Sequence, residues 1–196
     1  MTIRVAALTG SELTDGISAV ARLRIAVFRH WPYLYDGAME YETGYLSKFA
    51  QADGAIIVAA YDGGAVIGCA TAAPLAEVDG EFSAPFRTRG CDVSRIFYCG
   101  ESVLLPQYRG RGLGHAFFDH REAQARSLGT FTHSAFCAVV RPQGHALRPK
   151  DYVPLDTFWE KRGYAKVEGL IAHFTWKDID EPAETAKPMQ FWMKAL

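Results

Sequence analysis

Apolar residues along the first part of the chain fall at helical spacing. Ile17, Val20, Leu23 and Val27 mark one stripe within residues 11–31, which predicts a helix stopped by Pro32. A short strand over residues 3–8 precedes it. The aromatic loop WPYLYDG and a weaker helix over 38–50 follow. The period then changes. AIIVAAYDGGAVIGCATAAPL holds two apolar, β-rich runs around Asp62-Gly63-Gly64, a turn that tolerates positive φ, and so predicts a hairpin. Residues 78–94 form a polar connection with room for a short helix. The pattern next predicts a strand over 95–105, and a helix over 112–128 that Gly129 ends. That helix carries Leu113, Ala116, Phe117 and Leu128 on its apolar face, and a strand over 131–140 follows it. Beyond a proline-rich loop, RPQGHALRPKDYVPL, a short helix over 156–162 stops at Gly163. Two last strands, 165–177 and 189–196, are joined by DIDEPAETAKP. The order β-α-α-β-β-β-α-β-α-β-β is an α/β arrangement with one mixed sheet.

Composition narrows the classes. With 196 residues, 49% of them apolar, the chain can bury the core of one domain, expected to run over 1–196. A net charge of -1 argues against a general nucleic-acid binder but leaves room for a local basic site. No apolar run reaches the roughly 18 residues of a membrane span, and the first residues lack the layout of a secretory leader. The expectation is a cytoplasmic protein with no membrane partner. Cys69, Cys91, Cys99 and Cys137 lack metal spacing, as do the six histidines, so no metal is expected. Three of the cysteines sit in strand-like apolar context and read as buried thiols. His133 and Cys137 share a strand face, where packing is preferred over a nucleophilic pair.

The stretch GESVLLPQYRGRGLGHAFFDHREAQARSLG carries the most chemistry. A strand runs into Pro106, then Arg109-Gly110-Arg111-Gly112-Leu113-Gly114, then a long helix. Glycines at the mouth of a helix let backbone N–H groups approach a ligand. The first-turn N–H groups lack internal partners, and the helix dipole is positive there. Together these make an anion site suited to a pyrophosphate, with Arg109 and Arg111 adding charge. A Walker A loop is excluded because GK[ST] is missing. A dinucleotide fingerprint fails because its third glycine falls on His115.

This [R/Q]xxGxG pattern after a strand ending in VLLPQYR resembles the GNAT acyl-CoA N-acyltransferase family. Phe158-Trp159-Glu160-Lys161-Arg162-Gly163-Tyr164 is similar to the family's second landmark, and KPMQFWMKAL resembles its closing strand. The resemblance implies a single mixed, splayed sheet of about seven strands flanked by about four helices. It also implies acetyl-CoA as co-substrate, its pyrophosphate held by backbone amides of Gly110 to His115 and its pantetheine arm along Val103, Leu104 and Leu105. Strands 95–105 and 131–140 would splay, and the freed N–H of Leu104 would face the thioester oxygen and stabilise a developing oxyanion.

Transfer to an amine needs a neutral nucleophile, since an alkylammonium titrates near ~10. Glu101, on the strand beside the expected thioester and among apolar residues, is the first candidate base. Tyr98 occupies a second position where such enzymes carry an acid. The family's usual acid is a tyrosine, but here Trp159 stands there, and an indole N–H is a donor only. Tyr152 and His145, in the preceding loop, are candidate replacements, while Trp159 packs against pantetheine or core. The resemblance also implies that the acceptor, a small-molecule or peptide amine, binds opposite the coenzyme A arm, against Arg29, Trp31, Tyr33, Tyr35 and residues 78–94, where aromatics supply flat walls and hydroxyl handles. Arg87, Arg89, Arg95, Arg141, Arg148 and Lys150 are candidates to hold a carboxylate or the donor's 3′-phosphate. The activity that the resemblance implies is acetyl transfer from acetyl-CoA to a primary amine by direct attack in a ternary complex. A non-catalytic acyl-CoA-binding sensor or accessory module is the alternative that Trp159 favours, and a purely structural interaction domain is a third. A sheet edge or the last strand offers a route to a homodimer.

Overall fold

Seven strands and five helices alternate along the chain in this computed structural model, which describes residues 3–8 and 11–196, the side chains of 11–15 excepted. They are β1 (Ile3–Ala7), α1 (Ser11–Phe28), α2 (Met39–Ala50), β2 (Ile56–Asp62), β3 (Ala65–Pro74), α3 (Gly80–Thr88), β4 (Ile96–Leu104), α4 (Leu113–Leu128), β5 (His133–Val139), α5 (Asp156–Lys161), β6 (Ala165–Lys177) and β7 (Glu184–Ala195). One sheet contains every strand, in the order β1-β2-β3-β4-β5-β7-β6. All neighbours are antiparallel except β4 and β5. No helix among the described residues is long and apolar enough to cross a membrane.

Alternation along β4 divides the core. Ile96 and Tyr98 face the α1–α3 side with Phe86 and Phe191, whereas Phe97 and Cys99 face the α4–α5 side with Phe118 and Trp192. Three differences from the sequence pattern have physical reasons. The connection over 78–94 contains a full helix, α3, whose buried Phe86 and half-buried Phe82 are too few to show a period. Helix α1 ends at Phe28, short of the expected stop at Pro32. The residue before a proline is pushed out of helical geometry, and the chain turns at His30, whose carbonyl accepts the N–H groups of Tyr33 and Leu34. Strand β7 starts at Glu184 rather than 189. Its first residues pair with the exposed end of β6 (Lys177↔Glu184, Phe174↔Lys187), where hydropathy gives no signal.

The inner face of α4 also differs from its expected stripe. Leu128 is exposed, and Phe118, Arg121, Glu122 and Ala125 are buried beside Leu113 and Phe117. Glu122 accepts bonds from Lys194 (2.9 Å), Arg162 (3.2 Å) and the Tyr164 hydroxyl (3.2 Å), tying α4 to the end of α5 and to β7. Burial alone would raise its carboxyl, yet the hydrogen bonds and charges of Lys194 and Arg162 outweigh burial and hold it below its ordinary value of 4.5. A native pKa lowered in this way contributes stability that is present above the unfolded value and lost as pH falls through the native one. Glu122→Gln is therefore expected to cost about 2 kcal/mol near neutral pH and much less in acid. Urea unfolding at pH 7 and pH 3.5 checks this, and an equal loss at both pH values would contradict it.

Candidate active site

Strands β4 and β5 pair only at their first residues, Ile96↔His133, Phe97↔Ser134 and Tyr98↔Ala135, and then part. On its other edge β4 stays paired with β3 as far as Gly68↔Leu104. The register there shifts from Ala72↔Cys99 to Ala70↔Ser102, so Gly100 and Glu101 together oppose Thr71. This bulge changes the parity of the strand. Gly100 faces Tyr45 and Phe49 of α2, and Glu101 is turned to the same face, toward Arg24 of α1. Arg121 of α4 braces the bulge from the opposite face, donating to the carbonyls of Glu101 (3.0 Å) and Thr71 (3.4 Å). Beyond the bulge the Leu105 N–H donates to Ile67 across the β3 edge (3.0 Å). By the alternation of an antiparallel ladder, the Leu104 N–H is turned to the opposite, open edge.

The parted strands open into a groove of about 1520 Å³. At one end lies the start of α4. Its N-cap Gly112 has φ 80° and Gly110 has φ 74°, and no side chain caps the helix. A Cβ added at either glycine would meet nothing within 4 Å, so the first-turn amides open onto free space in the groove wall. Gly114 serves packing instead. A Cβ there would lie 3.3 Å from the Phe158 ring, so its absence seats α5 against α4. Arg109, Leu104, Leu113 and His115 also line the groove. Arg111 folds back, over the Tyr108 ring (5.3 Å) and onto the Gln107 carbonyl (3.3 Å). The Val103 side chain is buried under α1 with Cys69 and Leu46, and Leu105 packs at the edge of that cluster.

The structure separates the candidate acid–base residues. Glu101 lines the groove, but its surroundings differ from the expected apolar ones. Its carboxylate pairs with Arg24, which also holds Glu42, and all three side chains are buried. Tyr98 points away into the core, its hydroxyl 3.1 Å from the Cys137 sulfur. Burial pushes the Cys137 thiol up to about 12, and His133 is bonded to Thr132 (3.0 Å), so the two form no nucleophilic pair. His145 sits edge-on to Trp31 (5.1 Å), its Nδ1 accepting the Leu147 N–H (3.2 Å). Tyr152 meets Trp31 at 5.8 Å and lines the groove. Trp159 packs against Phe136 (5.0 Å) and Trp192 (5.1 Å) and also lines the groove.

Several candidate cations are already engaged. Arg141 pairs with Asp178 through both nitrogens (2.5 and 3.0 Å) and donates to the carbonyls of Pro32 (2.7 Å) and Tyr33 (2.5 Å), fixing the segment after α1. Arg89 donates to the Glu168 carbonyl and Arg29 pairs with Asp36. Arg148 lies over the Tyr152 ring. Tyr35 is near Glu42, and burial followed by that carboxylate raises its phenol. Trp31 and Tyr33 line the groove; Tyr35 does not. Among the described residues no cluster of His, Cys, Asp or Glu could hold a metal ion.

Comparison with known proteins agrees with this architecture. The pattern of the Acetyltransferase (GNAT) family matches residues 21–148, and the chain belongs to that family. No curated protein matches it by sequence. Among solved structures, a GNAT-family acetyltransferase from Streptococcus pneumoniae is similar at TM-score 0.60 and 15% identity, covering 100% of both chains. A ribosomal-protein-alanine N-acetyltransferase from Brucella melitensis matches at 0.60 and 14%, again over 100% of both. The PaiA N-acetyltransferase of Thermoplasma acidophilum, solved in complex with coenzyme A, matches at 0.56 and 9% over 100% of both. At these identities the likeness is one of fold.

Proposed function

We propose that residues 1–196 form one acetyltransferase domain that moves an acetyl group from acetyl-CoA to a primary amine, by direct attack in a ternary complex, in the cytoplasm. The observation that carries the reading is the uncapped start of α4, opened by Gly110 and Gly112 into the gap between β4 and β5. Backbone amides of residues 110–115 hold the pyrophosphate there, with Arg109 beside them. The pantetheine arm runs along the open edge of β4, and the Leu104 N–H stabilises the oxyanion. Glu101 takes the proton from the attacking amine. Two carboxylates share the single Arg24 guanidinium, so the buried cluster has acceptor capacity to spare.

Calorimetric titration with coenzyme A, followed by thiol release from acetyl-CoA over an amine panel, tests the reading. Donor binding with turnover on an amine supports it. Binding without turnover on any amine favours a non-catalytic acyl-CoA sensor or accessory module, the reading that the packed Trp159 keeps in play. Absence of binding overturns both. Glu101→Gln is expected to lower kcat by about 10²-fold at neutral pH, in line with the loss of a general base. Its affinity for coenzyme A should stay within twofold, and an unchanged kcat removes Glu101 from the proton path.

A further inference from the structure

We infer that Tyr33 is a catalytic residue of this site, its hydroxyl donating a hydrogen bond to the sulfur of coenzyme A as the C–S bond breaks, an assignment that rests on the acetyltransferase reading above. The family's usual tyrosine position holds Trp159; of the replacements expected from sequence, His145 is engaged with its own loop, and Tyr152 is held edge-on to Trp31 with Arg148 over its ring. Tyr33 enters the groove from the other wall, the segment that follows α1. Its oxygen is faced by the backbone amide of Val139 on β5, with Glu101 of β4, Cys137 of β5 and Tyr152 within electrostatic reach. Val139 is opposite Met189 of β7 while the Val140 N–H donates to Pro188, so by ladder alternation the Val139 N–H is turned to the edge that faces β4. A phenol beside it, on a ring that lines the groove, faces the gap along which a thioester on β4 would run.

Its position is held from several sides. The ring packs between Phe28 (4.7 Å) and Trp176 (6.2 Å). Its main-chain carbonyl accepts bonds from Arg141 (2.5 Å) and the Trp176 indole (3.1 Å). Arg141 is itself locked to Asp178, which Lys187 approaches at 3.5 Å. A phenol fixed in this way is preorganised, so little reorganisation accompanies the bond. Burial, followed by the nearby Cys137 and Glu101, raises its proton affinity. That direction favours the un-ionised phenol, the form that donates a hydrogen bond.

In this step the amine lone pair forms the C–N bond, and the C–S electron pair leaves with sulfur, which accepts the Tyr33 O–H bond as a thiolate. The proton displaced from nitrogen goes to Glu101 and then to the thiolate or to water, giving the amide and the free thiol.

The donor alone suffices to test this. The charged and titratable groups around the phenol are Glu101 with Arg24, Cys137 with Tyr98, Tyr152, and Arg141 at its carbonyl. Ultraviolet titration of the thiolate of bound coenzyme A is expected to have its midpoint about one pH unit lower in the wild type than in Tyr33→Phe. Affinity at pH 6 should stay within twofold. A tenfold loss of this kind matches one hydrogen bond to a charged acceptor. Fluorotyrosine at position 33, a stronger donor, should lower the midpoint further. With an accepted amine, Tyr33→Phe should reduce kcat about tenfold with KM for acetyl-CoA unchanged. Coinciding titrations for wild type, Tyr33→Phe and fluorotyrosine would overturn the assignment while leaving the acetyltransferase reading intact. Failure of coenzyme A to bind the wild type would overturn both.

Discussion

Replacing Gly112 by leucine is expected to weaken coenzyme A binding by about 10–10²-fold. Two costs arise, strain on the fold and occlusion of the ligand. At φ 80° a side chain with a Cβ strains the backbone by about 1–2 kcal/mol. The added side chain also projects into the space the proposed diphosphate occupies, since nothing of the protein lies within 4 Å of that Cβ. Losing one charge-assisted amide bond there costs a further ~1.5–3 kcal/mol. Gly90 supplies the control: its φ is 73°, its Cβ would also meet nothing within 4 Å, and it lies outside the groove. Gly90→Leu should carry the same strain and bind coenzyme A normally. Calorimetric titration of both variants separates strain from occlusion, and wild-type affinity in Gly112→Leu would sink the cradle.

The glycine-opened, uncapped start of α4 was legible in the sequence because it is a local property. A strand end, two positive-φ positions and a helix start lie within a few residues of one another, and each has its own residue preference. The hairpin, the Gly129 and Gly163 stops, and α4 followed by β5 were legible for the same reason. The bulge was not. Its existence depends on β3 and β4 being in register, with Thr71 opposed by two residues, and nothing in the local alternation of IFYCGESVL announces that. The apolar neighbours of Glu101 along the strand do not show its counter-charge, because Arg24 lies far away along the chain. A signal was nevertheless present. Arg24 lies four residues from both Val20 and Phe28, on the apolar stripe of α1. Glu42 stands on the stripe that continues through Leu46 and Phe49 of α2. Charges of opposite sign on the inner faces of consecutive helices imply a buried pair. Arg121 and Glu122 interrupt the stripe of α4 in the same way, and both are buried and bonded. The sequence marks Tyr33 as an aromatic of the acceptor wall, but its place in the groove arises only where the segment after α1 meets β5 and β6.

Arg24→Met is expected to destabilise the fold by about 3–5 kcal/mol, the range for removing one partner of a buried ionic cluster. Among the described residues the guanidinium is the single cation paired with Glu42 and Glu101, and it lies over the rings of Tyr45 (4.7 Å) and Phe28 (5.2 Å). Burial by itself would disfavour its charge, yet the two carboxylates and Tyr45 outweigh that and keep it protonated. Methionine restores much of the packing, so the loss reports chiefly on two carboxylates left without a counter-charge. Adding Glu42→Gln to Arg24→Met removes one of them and should recover at least about 1 kcal/mol, a coupling that a double-mutant cycle reads directly. Urea denaturation of the four proteins is the measurement, and strict additivity would show that Arg24 acts through packing alone. Because Arg24 sits opposite Arg121 across the bulge, the Arg24→Met chain also tests what sets the position of Glu101. If the Arg121 brace on the Glu101 carbonyl is enough, Arg24→Met/Glu42→Gln retains coenzyme A affinity while its turnover falls. That result would separate the strand that holds the donor from the ionic cluster that prepares the acceptor.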